Sequence, residues 1–279
     1  MPIKKGFGMG KNSVGLSAIS LFSGAGGLDL AAKWAGVRTV CYVENDPYAQ
    51  GVLMSRIRDG GLDDARIWDD VKTFDGKPWR GEADCVFGGF PCQPHSIASG
   101  TQRGGADERN LWPDMLRIIR EVGPSFVLAE NVPGIFVTGY ALEVLADLEG
   151  AGFCATPVSI CACEFGAPHP RERLFFMAHA FGLRCWPWCK LERSAENIVW
   201  TEIPKEWDAS NTNKFARSYS HQRDTRRAGK EKWWPTEPDI ERVVNGMAFC
   251  LDRLRCCGNG VVPQQALPCF REIVERKRA

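Results

Sequence analysis

Leu16-Ser17-Ala18-Ile19-Ser20-Leu21-Phe22-Ser23-Gly24-Ala25-Gly26-Gly27 is the stretch on which the fold turns. Leu16–Phe22 is a short apolar run that reads as a strand, and a glycine cluster follows it. Glycines there let the backbone turn tightly and approach a ligand closely. A helical pattern then runs from Leu28 to Trp34. The same alternation continues outward. Strand-like runs at Thr39–Val43, Ala83–Phe87, Phe126–Ala129, Thr156–Cys161 and Leu174–Ala178 are separated by helical patterns at Tyr48–Arg58, Leu111–Glu121 and Leu142–Glu149. Strands spaced by helices of this length predict an α/β fold, a doubly wound, mostly parallel sheet with helices on both faces.

The periodicity weakens near Phe181. From there to Pro238 the chain holds Trp186, Trp188, Trp200, Trp207, Trp233 and Trp234 among charged and polar residues. We expect a small irregular lobe at 181–238. Helical patterns at Pro238–Arg255 and Gln264–Arg278 follow, so residues 239–279 are expected to return to the main domain, 16–180. Residues 1–15 read as a flexible, weakly basic leader.

Composition narrows the function classes. The chain has 279 residues, 44% hydrophobic and 25% charged, close to the globular average. No apolar stretch is long enough for a transmembrane helix, and no apolar segment follows Lys4 and Lys5 to make a secretory signal. A cytoplasmic protein without a membrane partner is expected. The formal net charge of +1 excludes a uniformly basic coat, but Lys214–Lys232 carries a local charge of +5. Arg223, Arg226, Arg227 and Lys230 in that run are candidates for phosphate contacts. Twelve cysteines without a signal peptide are expected to be reduced and mostly buried. Cys161-x-Cys163 and Cys185-x3-Cys189 have irregular spacing and no nearby His pair, so no metal site is assigned.

Six segments carry chemistry. The Phe22–Gly27 loop is followed 17 residues after Gly27 by Glu44, then Asn45, at the end of the second strand. A carboxylate there can accept hydrogen bonds from both hydroxyls of a ribose. The dinucleotide fingerprint wants a third glycine where this chain has Asp29, so a ribose-bearing cofactor without a pyrophosphate fits better. Asp70-Val71 stands at a third strand–helix loop, where Asp70 could accept from a purine amine or cap a helix. Gly88-Gly89-Phe90-Pro91-Cys92-Gln93 follows the Ala83–Phe87 strand and places a thiol on the ligand edge of a parallel sheet. Its thiolate would be the reactive form. Glu130-Asn131-Val132 ends the next strand, and Arg171-Glu172-Arg173 places two guanidiniums at i and i+2, on one side of an extended segment.

Taken in order, Phe22–Gly27, Glu44-Asn45-Asp46, Asp70-Val71, Pro91-Cys92-Gln93, Glu130-Asn131-Val132, Arg171-Glu172-Arg173 and Gly258-Asn259-Gly260-Val261-Val262-Pro263 resemble the motif set of the cytosine-5 DNA methyltransferase family. The resemblance covers about residues 16–178 and 239–275. It implies a Rossmann-like S-adenosyl-L-methionine-dependent methyltransferase fold and a target-recognition role for the lobe. It implies Cys92 as nucleophile, Glu130 as acid, and Arg173, supported by Arg171, as the group that orients the base. Phe22, Ser23, Gly24, Ala25, Gly26, Gly27, Glu44, Asn45, Asp70, Val71, Pro91, Asn259 and Val262 would hold the cofactor. Gln93, Ser96, Arg103, Arg109 and His169 would join the basic run at double-stranded DNA. The glycine-rich loop Ser96–Asn110 would close over a flipped base. His95 stands where the family usually has an aromatic, and His169 where a Gln is common. The resemblance also implies a monomer, with a companion restriction endonuclease as a candidate partner. An RNA cytosine-5 methyltransferase and a catalytically silent DNA-binding homologue are the competing readings.

Overall fold

The computed structural model describes residues 15–91, 110–167, 171–183 and 260–278. The leader before residue 15, most of the 181–238 lobe and the expected helix at 238–255 lie outside the described residues.

β1 (Leu16–Leu21) is buried on both sides, as its apolar run predicts for a central strand. It leads into α1 (Gly27–Ala35), which ends on Gly36 in the left-handed conformation. β2 (Val37–Val43) and α2 (Pro47–Arg58) follow. α2 starts cleanly because the Asp46 carboxylate accepts the backbone N–H groups of Tyr48 and Ala49, and Pro47 occupies the first turn. β3 (Arg66–Trp68), β4 (Cys85–Gly89), α3 (Trp112–Val122), β5 (Phe126–Asn131), α4 (Gly134–Val137), α5 (Tyr140–Gly150), β6 (Phe153–Cys161), β7 (Glu172–Ala180) and α6 (Pro263–Arg278) complete the order.

The seven strands run β3-β2-β1-β4-β5-β7-β6 in one sheet. All neighbours are parallel except β7, which lies antiparallel between β5 and β6. Alternate residues divide the core. Val127 and Ala129 of β5 face the cluster completed by Met115, Ile119 and Val144 of α3 and α5. Phe126 and Leu128 face the cluster completed by Ala31, Ala32, Phe270 and Ile273 of α1 and α6. The sheet is therefore covered on both faces, as expected. The strand order reverses between β1 and β4, and in such sheets the ligand crevice lies beyond the C-terminal ends of those two strands.

Three local differences from the sequence reading have physical causes. β3, the strand that the Asp70-Val71 loop implies, has no predicted range because only three residues form it and two of them are exposed. β6 and β7 extend beyond their predicted limits because they pair with one another over nine residues. Gly88 and Gly89, expected as loop, are the last two residues of β4. A Cβ on Gly88 would stand 2.4 Å from the Leu21 carbonyl oxygen, and one on Gly89 would stand 2.6 Å from Glu130 Oε2. These glycines make room for what is packed against the strand rather than for a turn.

The cysteines also depart in part. Cys41, Cys85 and Cys269 are buried free thiols, as expected. Cys161 and Cys163 are joined as a disulfide, with Cα atoms 5.3 Å apart. The turn of 3₁₀ helix at Ala162–Phe165 folds the two side chains toward one another. Among the described residues no helix is long and apolar enough to cross a membrane.

Candidate active site

At the switch point the loop after β1 is fastened to β2. Ser23 N–H donates to the Val43 carbonyl at 3.2 Å. Gly24 N–H donates to Glu44 Oε2 at 2.7 Å, and Asp46 N–H donates to Glu44 Oε1 at 2.9 Å. Each Glu44 oxygen thus holds one backbone donor and keeps capacity for another. A Cβ on Gly24 would meet only the Phe22 carbonyl oxygen, at 3.9 Å, so the loop backbone is open for close approach. Phe22 is the sole described non-glycine residue at positive φ, 53°. A bulky side chain held there signals local strain, of the kind that clusters at ligand sites. Asp70 follows β3 and accepts Lys72 N–H at 2.8 Å, so the loop-capping role anticipated for it is present. Val71 beside it is buried.

Beneath this loop lies a polar group that motif reading placed only as a missing glycine. Asp29 on α1 is 1% exposed and points inward. Thr39 Oγ1 donates to its Oδ1 at 3.1 Å, its Oδ2 has no hydrogen-bond partner among the described residues, and the Ser20 hydroxyl favours its ionised form. Ser20 Oγ lies 2.9 Å from Ser23 Oγ, which carries the network to the loop. With no cation acting on it among the described residues, burial pushes the Asp29 carboxyl up to about 7.

The second half of the crevice is built on β4, β5 and β7. Glu130 at the end of β5 is buried, and Arg173 Nε meets its Oε1 at 2.9 Å. Burial raises its carboxyl to about 7, against the opposing pull of Arg173 and then Arg171. Arg171 acts on Glu130 through its charge and donates to the Gly260 carbonyl. Asn131 Nδ2 donates to the Phe90 carbonyl at 3.0 Å and so ties β5 to the chain entering Pro91. Phe90 also packs on Trp112, ring centroids 5.0 Å apart. Sequence reasoning gave Asn131 no role, though its place in the Glu130-Asn131-Val132 motif signalled it.

The structure therefore brings together Phe22–Gly27, Glu44, Asn45, Asp70 and Val71 on one side, and Pro91, Glu130, Arg171 and Arg173 on the other. Val262 lies in the segment that joins them from the C-terminal side. Next to it, a Cβ on Gly27 would stand 2.5 Å from the Val261 carbonyl oxygen. Cys92, Gln93, Ser96, Arg103, Arg109, His169, Asn259 and the basic residues Arg223, Arg226, Arg227 and Lys230 lie outside the described residues. Pro91, directly before Cys92, is described and follows the end of β4.

Comparison with known proteins adds an independent line. Residues 16–253 match the model of the family described as C-5 cytosine-specific DNA methylase. Type II methyltransferase M.PspPI of Psychrobacter sp. is 36% identical over 166 residues, 58% of this chain and 39% of that protein. Type II methyltransferase M.AquIA of Picosynechococcus sp. is 34% identical over 179 residues, 59% of this chain and 72% of that protein. A crystal structure of a variant of Spodoptera frugiperda DNMT2 superposes with a TM-score of 0.52 at 22% identity, covering 69% of this chain and 56% of that one, and bears on the fold alone. The chain spans 39% and 51% of the length of two of the Type II methyltransferases it matches.

Proposed function

We propose that this chain, which belongs to the C-5 cytosine-specific DNA methylase family, transfers a methyl group from S-adenosyl-L-methionine to carbon 5 of a cytosine flipped out of double-stranded DNA. The observation that carries the reading is the buried Glu130–Arg173 pair, set at the ligand edge beside the strand end that leads into Cys92.

Carbon 5 of cytosine is a poor nucleophile. Addition of the Cys92 thiolate to carbon 6 makes carbon 5 enamine-like. Glu130, as a carboxylic acid near ring N3, stabilises the electron density that builds there by hydrogen bonding or protonation. A carboxyl at about 7 keeps a proton available for this step near neutral pH. Arg173, with Arg171 behind it, orients the cytosine carbonyl. The cofactor supplies the electrophilic methyl group. Loss of the carbon-5 proton to a base and departure of the thiolate complete the reaction. The residues on the other side suit that cofactor. Glu44 retains acceptor capacity for ribose hydroxyls, the Gly24 backbone is uncovered, and no pyrophosphate-type third glycine is present. Gln93, Ser96, Arg103, Arg109, His169 and the Lys214–Lys232 run are assigned to DNA, the last through phosphates. A companion endonuclease for the same DNA site is the partner class suggested by relatives named Type II methyltransferases. A monomer acting in the cytoplasm fits the reaction.

The test is transfer of label from methyl-labelled S-adenosyl-L-methionine to duplex DNA or to total RNA. Label on DNA is expected. Label on RNA alone would move the substrate, and label on neither polymer would leave a silent binder. Duplex carrying 5-fluorocytosine should leave the protein covalently joined to DNA in a denaturing gel. Cys92→Ser should abolish both label and adduct while cofactor binding persists.

A further inference from the structure

The segment that enters α6 touches the catalytic side at three points. Arg171 donates its guanidinium to the Gly260 carbonyl. In return, the Gln265 carboxamide donates to the Arg171 carbonyl at 2.5 Å and to the Ile160 carbonyl at 2.9 Å. Gln265 is completely buried, and its backbone N–H closes a turn on the Val262 carbonyl. Ile160 is the register partner of Arg173 across β6 and β7, and Arg171 stands two residues before it. One side chain thus holds the two backbone points that frame Arg173. Among neutral side chains only a carboxamide NH₂ serves both carbonyls, because each needs its own hydrogen.

We propose that Gln265 is a positioning residue for the Glu130–Arg173 pair, fixing the guanidinium on the acid through the backbone of β6 and β7 rather than by touching either side chain. The proposal rests on the role given above to Glu130 and Arg173. A hydrocarbon of the same size at 265 fills the space but leaves the two carbonyls without this donor, so β7 gains freedom at the residue whose side chain must stay fixed. Misplacement of a catalytic group by a fraction of an ångström is enough to slow a reaction markedly. The charged groups acting on Glu130 among the described residues are Arg173 and Arg171, both of which oppose the effect of burial. Loosening Arg173 therefore moves the Glu130 carboxyl to a higher pKa.

The experiment is Gln265→Leu, with Gln265→Met as a second variant should the branched side chain prevent folding. At saturating cofactor and DNA, kcat should fall about tenfold or more, with cofactor Kd within about threefold of wild type. The alkaline limb of the kcat–pH profile should move to higher pH. A variant with lowered Tm but wild-type kcat and an unmoved limb would reduce Gln265 to a packing residue and overturn the proposal. NMR of the arginine side chains gives a readout that needs no turnover. The Arg173 Nε–H signal, held on the Glu130 carboxyl in the wild type, should shift and exchange faster in the variant, and an unchanged signal overturns the proposal. In the wild type itself the Gln265 carboxamide protons should exchange slowly, and exchange as fast as that of an exposed Gln would equally refute it. If the wild type transfers no methyl group at all, the proposed function fails, and the NMR measurements still decide whether Gln265 positions Arg173.

Discussion

The two sides of the crevice hold their carboxyl groups by different means. On the β1–β2 side, Glu44 is tied to the backbone N–H groups of Asp46, two residues on, and of Gly24, just past the end of the neighbouring parallel strand. On the β4–β5–β7 side, Glu130 is held by the guanidinium of Arg173, which arrives from a distant antiparallel strand. Backbone ties fix a shape that changes little with protonation elsewhere. A side-chain pair in a dry site couples shape to charge, as acid–base chemistry requires. Asp29 sharpens the contrast. It is as strongly perturbed as Glu130, yet it faces the hydroxyls of Ser20 and Thr39 under the loop instead of a crevice. A raised carboxyl pKa is therefore not by itself the mark of the chemistry; its position at a strand end beside a cation is.

The comparison breaks first if Glu130 is not the acid. Glu130→Gln should lower kcat on the order of 10³-fold, within the usual range for a lost general acid. The wild-type rate should decline above about pH 7 as Glu130 loses its proton, and the residual rate of the variant should lack that limb. Gly89→Ala gives a steric version of the same test, since its Cβ would stand 2.6 Å from Glu130 Oε2. It should reduce kcat while leaving cofactor affinity near wild type. Steady-state rates on duplex DNA across pH check both. A wild-type limb retained in Glu130→Gln would move the acid role elsewhere.

What the sequence disclosed follows the same division. The β1 run and its glycines are adjacent in the chain, and Glu44 ends the next strand 17 residues after Gly27, so local pattern and spacing together reveal the turn and the carboxylate tied to it. Glu130 and Arg173 were legible as motif members, but their pairing was not, because it depends on β7 entering antiparallel between β5 and β6. Gly88 and Gly89 were misread as loop because sterics from Leu21 and Glu130, invisible in one dimension, demand small residues inside a strand. Asp29 was seen only as the wrong residue for a dinucleotide loop, since nothing local shows that it turns inward to Thr39. Gln265 carried no signal, because both its acceptors lie far away in sequence.

Asp29 offers the next largest effect, on stability rather than rate. Its carboxyl lies near 3.8 in an unfolded chain and at about 7 in the fold. The folded value is raised, so the unfolded state loses its proton first as pH climbs. Stability contributed by the neutral acid is complete below the unfolded value and is lost as pH rises through the window from 3.8 to about 7. Between pH 5 and 8 this amounts to roughly 2–3 kcal/mol. Asp29→Asn removes that share while Glu130 keeps its own, so the variant's unfolding free energy should fall less steeply over the same interval. Urea denaturation at several pH values measures it. Parallel curves for variant and wild type would show that Asp29 does not titrate in this range.

The smallest expected change is at Glu44, and it separates affinity from rate. Glu44→Ala should raise the S-adenosyl-L-methionine Kd about 10- to 30-fold, the equivalent of one or two charge-assisted hydrogen bonds. At saturating cofactor, kcat should stay within about threefold of wild type. Calorimetry and saturation kinetics read the two quantities separately. Because Glu44 also accepts Asp46 N–H, and the Asp46 carboxylate caps α2, part of the loss could pass through the scaffold. Asp46→Ala isolates that part. It should cost about 1 kcal/mol of stability, as lost helix caps do, with cofactor affinity nearly intact. An equal loss of affinity in both variants would mean that Glu44 serves the cofactor only by shaping the loop, and the ribose role would pass to the backbone it organises.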